Sequence, residues 1–169
     1  MDILGKGDYA MRKILIGVHD KYCSMRAVEF MGKQFSHGDD VEVLLVHVLP
    51  NLPALFWDEG HILTEAEKQE RQNVVDTWIA KQRDMIEPIL QSMMRHLVQS
   101  GLRQEQVKMK FISGSVDVAD SLLDEAKEGG YQTLLLGRCG IREGKHLLVG
   151  SIPSKLIQNA AGLAVCIVQ

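Results

Sequence analysis

Between Leu136 and Ile152 the chain carries Gly137-Arg138-Cys139-Gly140, nine further residues, and then Gly150-Ser151. Glycines so placed let backbone N–H groups come close to a polyanion, because no Cβ stands in the way. Gly137 can turn the chain sharply after an apolar run, while Gly140 and Gly150 can serve the close approach. Ser151 can either cap a following helix or give its hydroxyl to a phosphate oxygen. A helix that starts here would point its free N–H groups and its dipole at the same spot, favouring negative charge. Arg138, Arg142, Lys145 and His146 cluster in the segment. They can neutralise phosphate, or can simply be solvated loop charges. The chemistry on offer is phosphate capture by backbone. A G-x4-G-K-[ST] loop is absent from the sequence.

Other constellations are weaker. Cys23, Cys139 and Cys166 are odd in number and widely spaced, which suggests neither a disulfide framework nor a zinc site. Cys139 lies beside the glycines, where helix-terminal N–H groups could lower its pKa, but no partner thiol or base is evident. His37, His47, His61 and His96 have no metal-ligand spacing. No nucleophile elbow and no paired-carboxylate arrangement appears. With no recognisable base to aim at a terminal phosphate, the residues favour binding over turnover.

The bulk properties narrow the class. A chain of 169 residues fits one domain able to bury its own core. Its formal net charge of −3 provides no overall positive field for nucleic acid or an anionic membrane. No apolar run reaches the roughly 18 residues that a membrane-spanning helix needs. The first residues, MDILGKGDYAMRKILIG, lack the apolar centre and cleavage site of a signal peptide. The expectation is a cytoplasmic protein with reduced thiols, with a flexible lead-in over residues 1–11 and one domain over 12–169.

The elements that must position the glycine segment follow from periodicity. Residues 13–18 (KILIGV) and 41–49 (VEVLLVHVL) read as buried strands, the second ended by Pro50. Between them, Ala27, Val28, Met31 and Phe35 share one helical face over about 24–36, with Ser24 as its cap, followed by a turn at 37–40. Residues 50–63 read as a loop. Thr64 and Glu67 form a capping box that opens a long helical stretch to about residue 99, which Pro88 should kink or split and Gly101 should stop. Residues 106–112 alternate, with Lys108 and Lys110 on one side, as in an edge strand with one wet face. A helix bearing Ala119, Leu122, Leu123 and Ala126 follows and ends at Gly129-Gly130. A strand over 133–136, a loop over 137–150, a helix over 151–160 and a strand over 163–168 complete the chain. Strands alternating with helices imply an α/β fold with a parallel sheet and right-handed crossovers. Ligands in such sheets bind beyond the C-terminal ends of the strands, at the switch point.

The segment matches the G-x2-G-x9-G-[ST] pattern of ATP-binding universal stress proteins at every fixed position. The chain resembles that family over about residues 12–169, through KILIGV, VHVLP at 46–50, the Gly114 entry to a helix, and GSIPSKLIQNA at 150–160. The resemblance implies a single-domain open sheet of five strands in the order 3-2-1-4-5, with helices on both faces. It implies ATP, AMP or ADP as ligand, with Mg2+ as a candidate counter-ion. It also implies a homodimer joined through the C-terminal strand, and a regulatory role in a stress response through an unidentified protein partner.

Carried over by position, Leu136, Gly137, Cys139 and Gly140 would border the ribose and phosphates. Gly150, Ser151 and Ile152 would hold the phosphate tail, and Val48 would meet the adenine through its backbone. Val18 and Asp20 complete the implied set. The family usually has an Asp just past the first strand. Here the run is Gly17-Val18-His19-Asp20-Lys21, so His19 stands at that position and Asp20 comes one residue later, either as a ligand contact or as a solvated turn residue. Pro153 falls where the family helix often carries a polar residue, and it removes one N–H. Three functions remain in view: a nucleotide-binding regulatory protein, a slow ATPase or adenylate-transfer enzyme, and a member that acts by protein contacts without nucleotide. The intact glycine-serine set separates the first two from the third, and the missing base favours the first.

Overall fold

The computed structural model describes residues 11–19, 21–35, 40–49, 64–138 and 150–169. Among the described residues five strands and four α-helices alternate: β1 (Arg12–Gly17), α1 (Lys21–Phe35), β2 (Val41–Val48), α2 (Glu65–Gln99), β3 (Val107–Ile112), α3 (Val118–Glu128), β4 (Thr133–Gly137), α4 (Ser151–Asn159) and β5 (Ala164–Val168). All neighbouring strands pair in parallel, in the order β3-β2-β1-β4-β5. The chain thus starts in the middle of the sheet, moves to one edge, and returns past β1 to build the other. β1 has β2 on one side and β4 on the other, which makes the C-terminal end of β1 the switch point.

The alternation of side chains across the strands divides the core in two. Ile14, Ile16, Val43 and Leu45 pack with Ala27, Val28 and Met31 of α1 and with Leu90, Met93 and Leu97 of α2. Leu15, Leu44, Val46 and Leu134 pack on the other face with Ala119, Leu122 and Leu123 of α3 and Leu156 of α4. Burying both faces explains why the central strands read as continuous apolar runs rather than as alternating ones. At the edge, β3 keeps Lys108 and Lys110 exposed, paired with Glu42 and Glu125. This agrees with the edge position read from its alternation.

Helix ends mostly follow local chemistry. Thr64 and Glu67 form the reciprocal capping box. Gly101 and Gly130 follow α2 and α3 at φ 115° and 68°, a region that favours glycine and ends each helix. Of the kink or split expected at Pro88, the split does not occur: α2 runs as one helix from Glu65 to Gln99. Pro88 and Asp84, whose carbonyl loses its intrahelical partner, are both exposed, so water can replace the missing donor. Ser24 does not cap α1 either. The helix begins at Lys21, and Ser24 lies buried inside its first turns. Residues 1–10 of the expected lead-in, residues 37–39 of the expected turn, the loop over 50–63 and positions 139–149 lie outside the described residues. No helix among the described residues is long and apolar enough to cross a membrane.

Candidate functional site

A cavity of about 220 Å3 opens at the switch point. Its floor is made by strand ends: Gly17 and Val18 from β1 and the turn after it, Val46 and Val48 from β2, Leu136 and Gly137 from β4, and Ile167 from β5. Val118 and Leu122 of α3 form one wall, and Gly150, Ser151, Ile152 and Pro153 at the start of α4 form another. His19, Ser24 and Arg138 add polar groups at its margin. Among the described lining residues there is no carboxylate. An apolar bed with a few convergent donors suits a flat ring system that carries an anionic tail.

The donors come from backbone as much as from side chains. Gly150 is the N-cap of α4, at φ −55° and ψ 168°, and no side chain among the described residues caps the helix. N–H groups of a first helical turn have no intrahelical acceptor, and Pro153 contributes none. Gly150, Ser151 and Ile152 therefore present the amides at this helix end, where the dipole favours an anion. Ser151 is the first helical residue rather than the cap expected as one of its two roles, and it is exposed. The cap position is taken by Gly150, so the Ser151 hydroxyl is not spent on α4.

Gly137 also needs a different explanation from the sharp turn expected of it. It is paired inside β4, opposite Val168, and it is not among the positive-φ glycines. Its lack of a side chain matters because α1 crosses close by: a Cβ at this position would lie 1.6 Å from the Cys23 carbonyl oxygen. Gly17 is crowded too, with Leu136 Cδ2 2.6 Å from where its Cβ would be. Both glycines let α1 and α3 approach the sheet closely enough to frame the cavity. At Gly150 a Cβ would meet, among the described residues, only Pro153 Cδ, at 3.8 Å.

Hydrogen bonds brace the switch point. The Val18 N–H donates to the Val46 carbonyl at 2.8 Å, and the His19 N–H donates to Ser24 Oγ at 3.0 Å. The buried His47 donates from Nδ1 to the Val18 carbonyl at 2.7 Å. Val18 thus offers the cavity its side chain, with both backbone polar groups already engaged. Burial lowers the His47 pKa below the ordinary imidazole value, against the opposing pull of the Val18 carbonyl and with a smaller lowering contribution from His19. The carbonyl selects the Nδ1–H tautomer. The unfolded chain therefore takes up this proton at a higher pH than the native one. Stability from this group is full above the ordinary imidazole value of 6.5 and is lost as pH falls below it. Urea midpoints measured from pH 8 to pH 5 should decline across the acidic half of that range. His47→Asn, which keeps an N–H donor but does not titrate, should flatten the decline. An equally steep decline in the variant would assign it to other groups.

All the described candidates from the sequence come together here: Val18, Val48, Leu136, Gly137, Arg138, Gly150, Ser151 and Ile152 line the one cavity. Asp20, Cys139, Gly140, Arg142 and Lys145 lie outside the described residues. Sequence reasoning left out Gly17, Ser24, Val46, Val118, Leu122 and Ile167. Gly17, at the end of an apolar run, carried a readable signal of close approach. The others look like ordinary core or helix residues and gave none. Among the described residues no group of His, Cys, Asp and Glu could hold a metal ion.

The fold has many solved counterparts. A universal stress protein in complex with cAMP shares 17% identity at a TM-score of 0.61, covering 95% of this chain and 98% of its own. A universal stress protein from Archaeoglobus fulgidus in complex with dAMP shares 16% at 0.57, covering 94% and 98%. A family protein from Arabidopsis thaliana with AMP bound shares 15% at 0.58, covering 93% and 90%. No curated protein matched the sequence. The family model described as the universal stress protein family matches residues 11–162, most of the chain, and the chain belongs to the universal stress protein family.

Proposed function

We propose that this chain is a regulatory protein that binds an adenine nucleotide, ATP by the pattern of its glycines, in the cavity at the switch point. The observation that carries the reading is the convergence of segments far apart in sequence, around residues 18, 48, 136–138 and 150–152, on one apolar bed beside a helix N-terminus. The adenine would lie over Val18 and Val48, and the ribose and phosphates would run past Leu136, Gly137, Cys139 and Gly140 toward Gly150, Ser151 and Ile152. Arg138 lines the cavity as a cation suited to phosphate. Arg142, Lys145 and Mg2+ are further candidates for neutralising it, and Asp20 for meeting the sugar or base. Complexes of family members with cAMP, dAMP and AMP support the adenine part of the reading. Occupancy would alter a surface read by a protein partner in the cytoplasm. The absence of a carboxylate among the described lining residues favours binding over turnover. Mass spectrometry of small molecules released from purified, denatured protein tests this directly. Recovery of an adenine nucleotide near one per chain is expected. Protein that carries none and shows no calorimetric response to ATP, ADP or AMP would overturn the reading.

The proposal includes a homodimer through β5. This strand closes one side of the sheet, and its side chains are only partly buried. The Ala164 N–H donates inward to the Gln132 carbonyl, so strand alternation turns the N–H groups of Val165 and Ile167 outward. An apolar edge without proline or charge invites pairing with a two-fold copy of itself. Val165→Pro removes an outward donor and leaves the inward ladder intact. Sedimentation should show a dimeric wild type and a folded, monomeric variant. A wild type that is monomeric at tens of micromolar, the concentration range on the order of weak-interface dissociation constants, would refute the interface.

A further inference from the structure

We infer that Lys155 is a positioning residue: held between Asp117 and Asp120, it fixes the first turn of α4 against the first turn of α3 and so aims the amides that would receive a phosphate. The inference rests on the nucleotide reading above and adds a residue to it.

The start of α4 needs such a hold. The helix has nine residues, no side-chain cap among the described residues, a proline at its third position, and Leu156 as its fully buried anchor. Lys155 lies one turn after Ser151, on the same side of the helix. Its Nζ is 2.7 Å from Asp120 Oδ2 and 3.1 Å from Asp117 Oδ2. Asp117 is itself fixed, because it is the N-cap of α3 and accepts the Asp120 N–H at 3.0 Å. Val118, next to Asp117, and Leu122, two residues after Asp120, line one side of the cavity. Ser151 and Ile152, on the same helix as Lys155, line the other. The ion pairs therefore join the two helical walls between which the anionic end of a ligand would lie. The two carboxylates raise the Lys155 pKa, keeping it charged.

Charge alone makes the opposite prediction. Lys155 and two carboxylates sum to one negative charge beside the site. Removing a carboxylate would then strengthen anion binding, whereas loss of positioning would weaken it. The sign of the effect separates the two causes.

Calorimetry with AMP and with adenosine, on wild type, Asp120→Ala, Lys155→Met and Lys155→Arg, provides the test. Asp120→Ala and Lys155→Met should each lose about fivefold in AMP affinity, the effect of a misaligned charge-assisted hydrogen bond, with adenosine affinity unchanged. Lys155→Arg should keep the wild-type value. These side chains are substantially exposed, so melting temperatures should move little. Tighter AMP binding by Asp120→Ala, AMP affinity unchanged in both variants, or equal losses for AMP and adenosine would overturn the inference. A wild type that binds neither compound would remove the nucleotide reading and this inference together. A wild type that binds AMP alongside unaffected variants would remove this inference alone.

Discussion

Gly137→Ala should unfold this protein far more readily than any other small change at the site. The methyl carbon would have to sit 1.6 Å from the Cys23 carbonyl oxygen and 2.9 Å from the Ser24 nitrogen, where real Cβ atoms essentially never come within 3.0 Å. The obstacles are backbone atoms at the start of α1, so no rotamer change relieves the clash. β4 is held in register on both sides, by β1 and by β5. α1 would have to lift off the sheet, pulling Ala27, Val28 and Met31 from the core. A cost of about 3 kcal/mol or more is expected, at the top of the overpacking range. For a chain of this size that corresponds to a fall in Tm on the order of 10 °C. Gly17→Ala should cost less, because the atoms it meets are tips of Leu136 and Leu122 side chains that can shift. Urea titrations of the two variants give the comparison. Equal, small losses would mean that α1 does not lie so close to β4.

Gly150→Val should do the reverse, leaving the fold in place while strongly weakening nucleotide binding. The backbone there has φ −55° and ψ 168°, open to any residue, and among the described residues the added Cβ meets only Pro153 Cδ, at 3.8 Å. Replacing glycine at an N-cap costs about 1 kcal/mol. The ligand meets a different surface. The branched side chain would stand over the Gly150, Ser151 and Ile152 amides, blocking the approach of a phosphate. Loss of two charge-assisted hydrogen bonds predicts a drop of about 100-fold in ATP affinity, and Ser151→Ala alone about 10-fold. Calorimetry on protein stripped of nucleotide measures both. A Gly150→Val variant that folds and binds ATP like the wild type would move the phosphates away from α4.

By itself the sequence determined what depends on neighbours along the chain. Uninterrupted apolar runs marked β1, β2 and β4 as buried on both faces, while the equally continuous run of β5 lies at an edge and is only partly buried; the alternation around Lys108 and Lys110 marked β3 as an edge. Thr64 with Glu67 marked the start of α2, and Gly101 and Gly130 marked helix ends, because caps are made within one turn of the helix they end. The glycine-serine spacing marked a candidate segment for phosphate, and resemblance to the family supplied the strand order. Only the tertiary structure decided the contacts that join distant segments. It placed the start of α1 at Lys21 and turned Ser24 from an expected cap into the acceptor for His19. It showed that Gly137 is needed for the passage of α1, more than a hundred positions earlier in the chain. It set His47 against the Val18 carbonyl, and Lys155 between Asp117 and Asp120. These pairings carry no periodic signal, because they depend on how close two elements come once the sheet has brought them together, a distance set by packing rather than by local propensity.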